Sequence, residues 1–250
     1  MNKETAEKLI ALNREFYDRF GKSFSATRQR LQPGVKRILD SFKGDENILD
    51  LGCGNGEFAR VLAKRGHRGS YLGLDFSLPL LRDAGSQSGG SAAKFMEIDI
   101  TKLSPKSEQL SVVSGQWDVI TAFAVLHHIP GDEIRLNILK TVHDLLAKDG
   151  RFILSNWQFL NSEKLKARIK PWEAAAISRP ALSGVQASEV DAGDYLLDWR
   201  NGGEGLRYVH HFTAEELSAL AKQAGFEVAD AFLSDGEGGR LGLYQEWKRA

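Results

Sequence analysis

Between residues 47 and 65 the chain runs through three local signals in a fixed order, and that order constrains the fold more than any other feature. Residues 47–51 form a short apolar strand, Gly52-Cys53-Gly54-Asn55-Gly56 a glycine-rich turn, and residues 57–65 a helix with Gly66 at its C-cap. A strand delivered straight into a glycine turn and a helix is the opening of a βαβ unit. Such units build parallel sheets with helices on both faces. The rhythm continues. A strand at 70–74 ends at Asp75, and Ser77, with Pro79 close behind, opens a helix through Leu80 and Leu81. A strand at 94–98 ends at Asp99, and residues 117–122 read as a buried strand. Residues 132–146 are an amphipathic helix with Ile134, Ile138, Leu139, Val142 and Leu145 on one side. Lys148-Asp149-Gly150 then turns the chain into a fifth strand at 151–154, and residues 226–233 and 241–247 flank a turn as an antiparallel hairpin.

The rest of the chain divides around this core, within what reads as one domain of 250 residues. Residues 1–43 are a helical cap, in which Leu9, Leu12, Phe16 and Phe20 recur at helical steps, followed by a turn-like 23–34 and a second helix at 35–42. Residues 44–158 are the core. Residues 159–206 have mixed polarity and no clear strand, so they read as an insertion over one end of the sheet. Residues 207–250 add a helix at 213–224 and the hairpin, with Thr213 and Glu216 spaced as a capping box. Lysine plus arginine and aspartate plus glutamate both total 33, so global charge favours no acidic partner. Charge is uneven, however: residues 1–43 carry ten basic and five acidic side chains, and 162–170 sets Lys164, Lys166, Arg168 and Lys170 against Glu163. Cys53 is the one cysteine, which excludes an internal disulfide or cysteine zinc site. No run approaches the roughly 18 apolar residues of a membrane span, so a soluble, cytoplasmic protein is expected.

The glycine spacing separates ligand classes. A dinucleotide loop needs a third glycine where Glu57 stands, and the loop has no lysine for a triphosphate. Gly52, Gly54 and Gly56 instead follow Asp50, and Asp75 and Asp99 end the next two strands. Three acids at the carboxyl ends of consecutive strands point into the crevice where open α/β sheets bind ligands. There Asp75 is placed to accept ribose hydroxyls, and Asp99 an adenine amino group.

With these residues the chain resembles the class I S-adenosylmethionine-dependent methyltransferases. The resemblance rests on Ile48 through Gly56, Gly73-Leu74-Asp75-Phe76-Ser77, Glu97-Ile98-Asp99-Ile100, Trp117 through Ile120 and Val125-Leu126-His127-His128-Ile129. It implies an α/β fold with a Rossmann-like seven-stranded, mostly parallel sheet, helices on both faces and the C-terminal hairpin at one edge. It also implies S-adenosylmethionine as cofactor and S-adenosylhomocysteine as product. The glycine loop, with Asp50, Gly52, Cys53, Gly54 and Gly56, would face the methionine part. Asp75 would serve the ribose, and Asp99 and Ile100 the adenine, with Phe76 and Ser77 also in the cofactor set. Phe123 and Tyr17 complete the expected cofactor set.

Two flanking segments, Phe24-Ser25-Ala26-Thr27-Arg28 and Arg207-Tyr208-Val209-His210-His211-Phe212, resemble the tRNA wobble-uridine methyltransferases, which esterify a 5-carboxymethyl group. That resemblance implies tRNA as acceptor and, in the eukaryotic members, a small activating protein subunit. Arg28 and Arg207 offer planar forks for a carboxylate, and Tyr208, His210 and Trp157 offer rings for an exposed base. Each has a plainer alternative. Arg28 or Tyr17 serves equally to hold the cofactor's own carboxylate, Trp157 is equally a lid or core aromatic, and His210 and His211 are equally structural. A carboxylate acceptor needs no catalytic base, whereas a neutral one often does, and His127 is then the candidate. No carboxylate-histidine spacing supports a metal site. The alternative acceptor is a small metabolite acid, amine or hydroxyl, with 159–205 as a lid.

Overall fold

The strand and helix signals resolve into two sheets in the computed structural model, which describes residues 1–27, 29–87, 93–105, 113 and 115–250. β1 (Ile48–Leu51), β2 (Tyr71–Asp75), β3 (Ala93–Glu97), β4 (Trp117–Phe123) and β5 (Leu146–Trp157) run parallel. The main sheet has the order β3-β2-β1-β4-β5-β10-β9, with β9 (Phe226–Ser234) and β10 (Gly242–Arg249) forming the closing antiparallel hairpin. This is the expected seven-stranded Rossmann-like sheet. Chain order reverses between β1 and β4, so a crevice opens at their carboxyl ends.

Strand alternation divides the core into two layers. Leu49, Leu51, Ile120, Phe152, Leu154 and Trp247 pack on one face against α5 (Asp132–Leu145) and α8 (Ala214–Gln223). Ile48, Tyr71, Val119, Ile153 and Tyr244 pack on the other against α2 (Pro33–Leu39) and α3 (Glu57–Lys64). Both faces of β1 are therefore covered, and all four of its residues are buried. α4 (Leu78–Gln87) follows β2.

Several local expectations are corrected. α1 spans Lys3–Ala26, so the helix runs on through the residues expected to begin a turn. Its N-cap is Asn2, whose side chain accepts from the Thr5 amide at 2.8 Å. The turn at Lys148-Asp149-Gly150 lies inside β5, where the register with β4 jumps from Leu146 to Arg151, so the intervening residues bulge out of the ladder. Ser77 places no side-chain cap on α4. Its Oγ is buried with no hydrogen bond among the described residues, and its amide serves Asp75 instead.

The largest correction concerns 159–206. This segment contains β6 (Ile169–Lys170) and β7 (Asp194–Trp199), which join β8 (Gly205–His210) in a three-stranded antiparallel sheet. α6 (Glu163–Lys166) and α7 (Trp172–Ser178) lie in the same segment. β8 crosses the expected boundary at 206/207 and belongs to this small sheet rather than to the main one. Every residue of β8 is buried, so its sequence shows no apolar–polar alternation to identify it. Leu196, Leu206 and Tyr208 pack with Leu9 and Leu12 of α1, which couples the small sheet to the first helix. Asn13 reinforces the joint: its Oδ1 accepts from the Tyr208 amide at 2.8 Å and its Nδ2 donates to the Tyr208 carbonyl at 3.1 Å.

Candidate active site

A cavity of about 510 Å³ occupies the crevice at the carboxyl ends of β1, β2 and β4, with Ile10, Asn13, Arg14, Tyr17 and Phe24 of α1 along its roof. Its floor is the glycine loop. Gly52 has φ 68°, and a Cβ there would lie 2.5 Å from Val125 Cγ2. Gly54 has φ 55°, and a Cβ there would meet nothing within 4 Å, so its bare backbone opens onto the cavity. Gly56 is different. It is the N-cap of α3 and packs against Ala84 of α4, outside the cavity wall. The expectation that Gly56 faces the ligand is corrected, because its positive φ serves the turn into the helix.

The three strand-end acids all line the cavity but are held differently. Asp75 is buried, with Oδ2 accepting the Gly54 amide at 2.9 Å and Oδ1 the Ser77 amide at 2.8 Å. Burial raises its pKa against the pull of those amides. Asp50 accepts from Tyr71 Oη at 2.5 Å and Thr121 Oγ1 at 2.7 Å. Burial is the main cause that pushes its carboxyl up to about 6, and the Asp75 charge adds to it. Asp50 therefore braces the loop from beneath. Asp99 caps a short 3₁₀ turn, accepting from the Thr101 amide and hydroxyl on Oδ1, while Arg14 reaches down from α1 to its Oδ2 at 2.7 Å.

Cys53, Phe76, Ile100, Phe123 and Tyr17 also line the cavity, whereas Ser77 does not; its side chain packs against Gly21 of α1. The Cys53 thiol is pushed well up by burial and by the Asp50 and Asp75 charges, so it is no nucleophile. Tyr17 Oη lies 3.2 Å from His128 Nε2, and His128 Nδ1 lies 3.1 Å from the Tyr208 carbonyl. A carbonyl only accepts, so Nδ1 carries the proton and the tyrosine hydroxyl donates to Nε2. His127 lines the wall too, and the Trp157 amide donates to its Nδ1 at 3.3 Å. In the neutral ring the proton then sits on Nε2, which makes His127 a donor rather than the base considered for it.

The second part of the site is an arginine in an aromatic setting. Arg207, on β8, lines the cavity at 5% exposure with its guanidinium carbon 5.0 Å from the Trp157 ring centroid, 5.4 Å from Phe16 and 5.5 Å from Trp199. Strand alternation separates it from its neighbours. Tyr208 and His210 project from the opposite face, and neither reaches the cavity. Tyr208 donates to Asp194 at 2.6 Å and accepts from Arg135 at 3.0 Å. His210 lies between Asp194 at 2.6 Å and Glu216 at 2.8 Å. Burial opposes its charge, but the two carboxylates outweigh burial and hold its pKa above the ordinary value. Both residues are thus corrected from substrate contacts to parts of a buried network. Glu216 leaves its half of the capping box to join it, while the Thr213 hydroxyl still caps α8. Arg28 lies outside the described residues.

Several wall residues carried no sequence signal. Arg14 and Asn13 read only as polar positions of α1. Ala124 lines the cavity with φ 57°, a left-handed backbone unusual for alanine, held by its amide donating to Ser155. Among the described residues no group of three or more His, Cys, Asp or Glu is placed to hold a metal, and no helix is long and apolar enough to cross a membrane.

An open parallel sheet with a glycine loop, strand-end acids and a cavity at its switch point defines a ligand-binding α/β domain. Residues 24–231 match the model of a family described as a methyltransferase domain, and the chain belongs to that family. A protein of Encephalitozoon cuniculi named as a methyltransferase is 30% identical over 216 residues, covering 86% of this chain and 87% of its own. The tRNA (carboxymethyluridine(34)-5-O)-methyltransferase of Schizosaccharomyces pombe is 25% identical over 226 residues, covering 86% and 89%. The same fold is seen in the Burkholderia thailandensis 1,6-didemethyltoxoflavin-N1-methyltransferase, solved with 1,6-didemethyltoxoflavin and S-adenosylhomocysteine. Its TM-score is 0.64 at 18% identity, covering 100% of this chain and 92% of that one.

Proposed function

We propose that the protein transfers a methyl group from S-adenosylmethionine to a carboxylate on a modified uridine of tRNA. The cavity wall suits the cofactor: Gly54 leaves open backbone, Asp75 is held in place by two amides, and Asp99 sits beside Ile100. In this reading Asp75 holds the ribose, the glycine loop the methionine portion, and Asp99 with Ile100 the adenine. The cofactor supplies an electrophilic methyl on a sulfonium. A carboxylate oxygen forms the new C–O bond as the C–S bond breaks, and the electron pair leaves on sulfur. No proton needs removing, which agrees with His127 acting as a donor.

The observation that carries the acceptor assignment is Arg207. A buried guanidinium framed by Phe16, Trp157 and Trp199 offers an anion a fork of donors and a planar group a set of rings. The fission-yeast relative, named for 5-O methylation of a carboxymethyluridine, supports the same chemistry. The test is transfer of labelled methyl to tRNA from a strain lacking this gene, followed by mild base. A base-labile label on the wobble nucleoside is expected. A base-stable label, or label only in a small-molecule extract, would overturn the assignment. The second reading, a metabolite methyltransferase, draws on the apolar residues along the cavity wall, among them Phe24, Phe76, Ile100 and Phe123, and on the 1,6-didemethyltoxoflavin-N1-methyltransferase neighbour. A small-molecule product would establish it.

A further inference from the structure

The cavity is also lined by residues outside the cofactor set. Leu31 and Val35, Leu165, and Leu241 with Gly242 bring three separate segments to its wall. Asn161 Nδ2 donates to the Arg240 carbonyl at 2.8 Å and so ties two of them together. The same segments carry a set of cations. Arg30 lies on the first, Lys164, Lys166 and Arg168 on or beside α6, and Arg240 on the β9–β10 turn. Arg30, Lys164, Lys166 and Arg240 are exposed and Arg168 half-buried.

The acidic groups nearby do not cancel them. Glu163 is paired with Lys166 at 2.7 Å. Asp235 is occupied by the Gly34 amide at 2.9 Å and Tyr244 Oη at 2.6 Å, which pin the β9–β10 turn to the start of α2. Glu237 remains as the one acidic side chain in that turn. Among the described residues, Arg30, Lys164, Arg168 and Arg240 form no ion pair. Other cations are spent on carboxylates, as Arg14–Asp99, Arg65–Asp40 and Arg200–Asp198 show, so what sets these four apart is that their segments also line the cavity.

The geometry points to these cations as the surface that grips RNA phosphates, with the acceptor nucleoside entering the cavity toward Arg207. The inference rests on the tRNA reading proposed above. Cations that spend their charge on no carboxylate are available to displace counterions from a polyanion. Spacing them on segments that line the cavity places that charge where a flipped or single-stranded nucleoside would enter.

The test compares the full chain with the Lys164→Ala/Arg168→Ala/Arg240→Ala variant, none of whose altered side chains lines the cavity. Binding of an unmodified tRNA transcript is titrated against salt, and S-adenosylhomocysteine affinity is measured in parallel. Expected is a salt slope shallower by about 2–3, on the order of 0.7–0.9 per lost contact, and a roughly tenfold or greater loss of RNA affinity, with cofactor affinity unchanged. A variant that keeps the full slope, or a parent chain that binds RNA no more tightly than it binds free nucleoside, overturns the proposal. Loss of cofactor affinity would mark misfolding, and the milder Lys164→Gln/Arg240→Gln pair then decides on the same readout. RNA binding lost in the variant without any ester formed by the parent would leave this surface standing and remove the carboxylate reading. Ester formation on tRNA at unchanged efficiency in the variant would do the reverse.

Discussion

Asp50 and Asp75 are both buried carboxylates at strand ends, yet their neighbours give them different work. Asp75 is held by amides at the cavity wall, whereas Asp50 is satisfied by two hydroxyls beneath the loop. An Asp75→Ala variant should bind S-adenosylhomocysteine roughly 30- to 100-fold more weakly by calorimetry, the value of about 2–3 kcal/mol for hydrogen bonds to a charged group. Asp50 should declare itself through pH. Folding raises its carboxyl from an ordinary value to about 6, so its contribution to stability is complete only below the ordinary carboxylate value and is lost as pH rises from there through about 6. Urea titrations should therefore show the parent losing about 3 kcal/mol against Asp50→Asn between about pH 4 and pH 8. Parallel stability curves would remove the assignment. Arg207→Ala should leave cofactor affinity within about twofold and lower transfer to tRNA by about 100-fold, the loss of a charged hydrogen-bonding partner. Equal loss of both would take Arg207 off the acceptor side. The sequence placed Asp75, Asp99 and Arg207 at the cavity because strand ends and motif spacing are local properties. It misplaced Gly56 and Ser77 because which side of a turn faces a ligand depends on α4 and α1, which pack there from elsewhere.

At the scale of elements, β8 shows how a strand can be unreadable and still decisive. Its alternate residues serve two environments, Arg207 toward the cavity and Tyr208 with His210 toward a buried network of Arg135, Asp194 and Glu216. Polar side chains on a fully buried strand erase the pattern that identified the core strands, so the small sheet was read as irregular. The parallel core was legible because βαβ units carry their own periodicity. The network ties the small sheet to α5 and α8, and His210 makes that tie sensitive to pH. A histidine whose pKa rises on folding stabilises the protein fully below its ordinary value near 6.5 and loses that contribution as pH rises through the higher folded value. The melting-temperature gap between the parent and His210→Gln should accordingly be widest in mild acid and close in the alkaline range. A gap constant with pH would mean that the ring is neutral throughout.

Across the whole molecule, α1 belongs to both halves. Its apolar stripe packs on the small sheet while Asn13, Arg14, Tyr17 and Phe24 roof the cavity. Ligand at the glycine loop should therefore quieten distant backbone. Hydrogen exchange with saturating S-adenosylhomocysteine should slow about tenfold or more in α1 and β8 as well as in residues 52–56, since binding to the folded form stabilises whatever opens with it. Protection confined to the loop would show that the roof moves independently.

The joint between α1 and β8 also has a history in the life of each chain. Asn13 meets Tyr208 across 195 positions of sequence. During synthesis at about 5–20 residues per second, α1 is made roughly ten to forty seconds before the strand that covers it. For that interval Leu9 and Leu12 lack Leu196, Leu206 and Tyr208, which cover them in the folded chain. A helix made early thus waits for a strand made late before this joint can close.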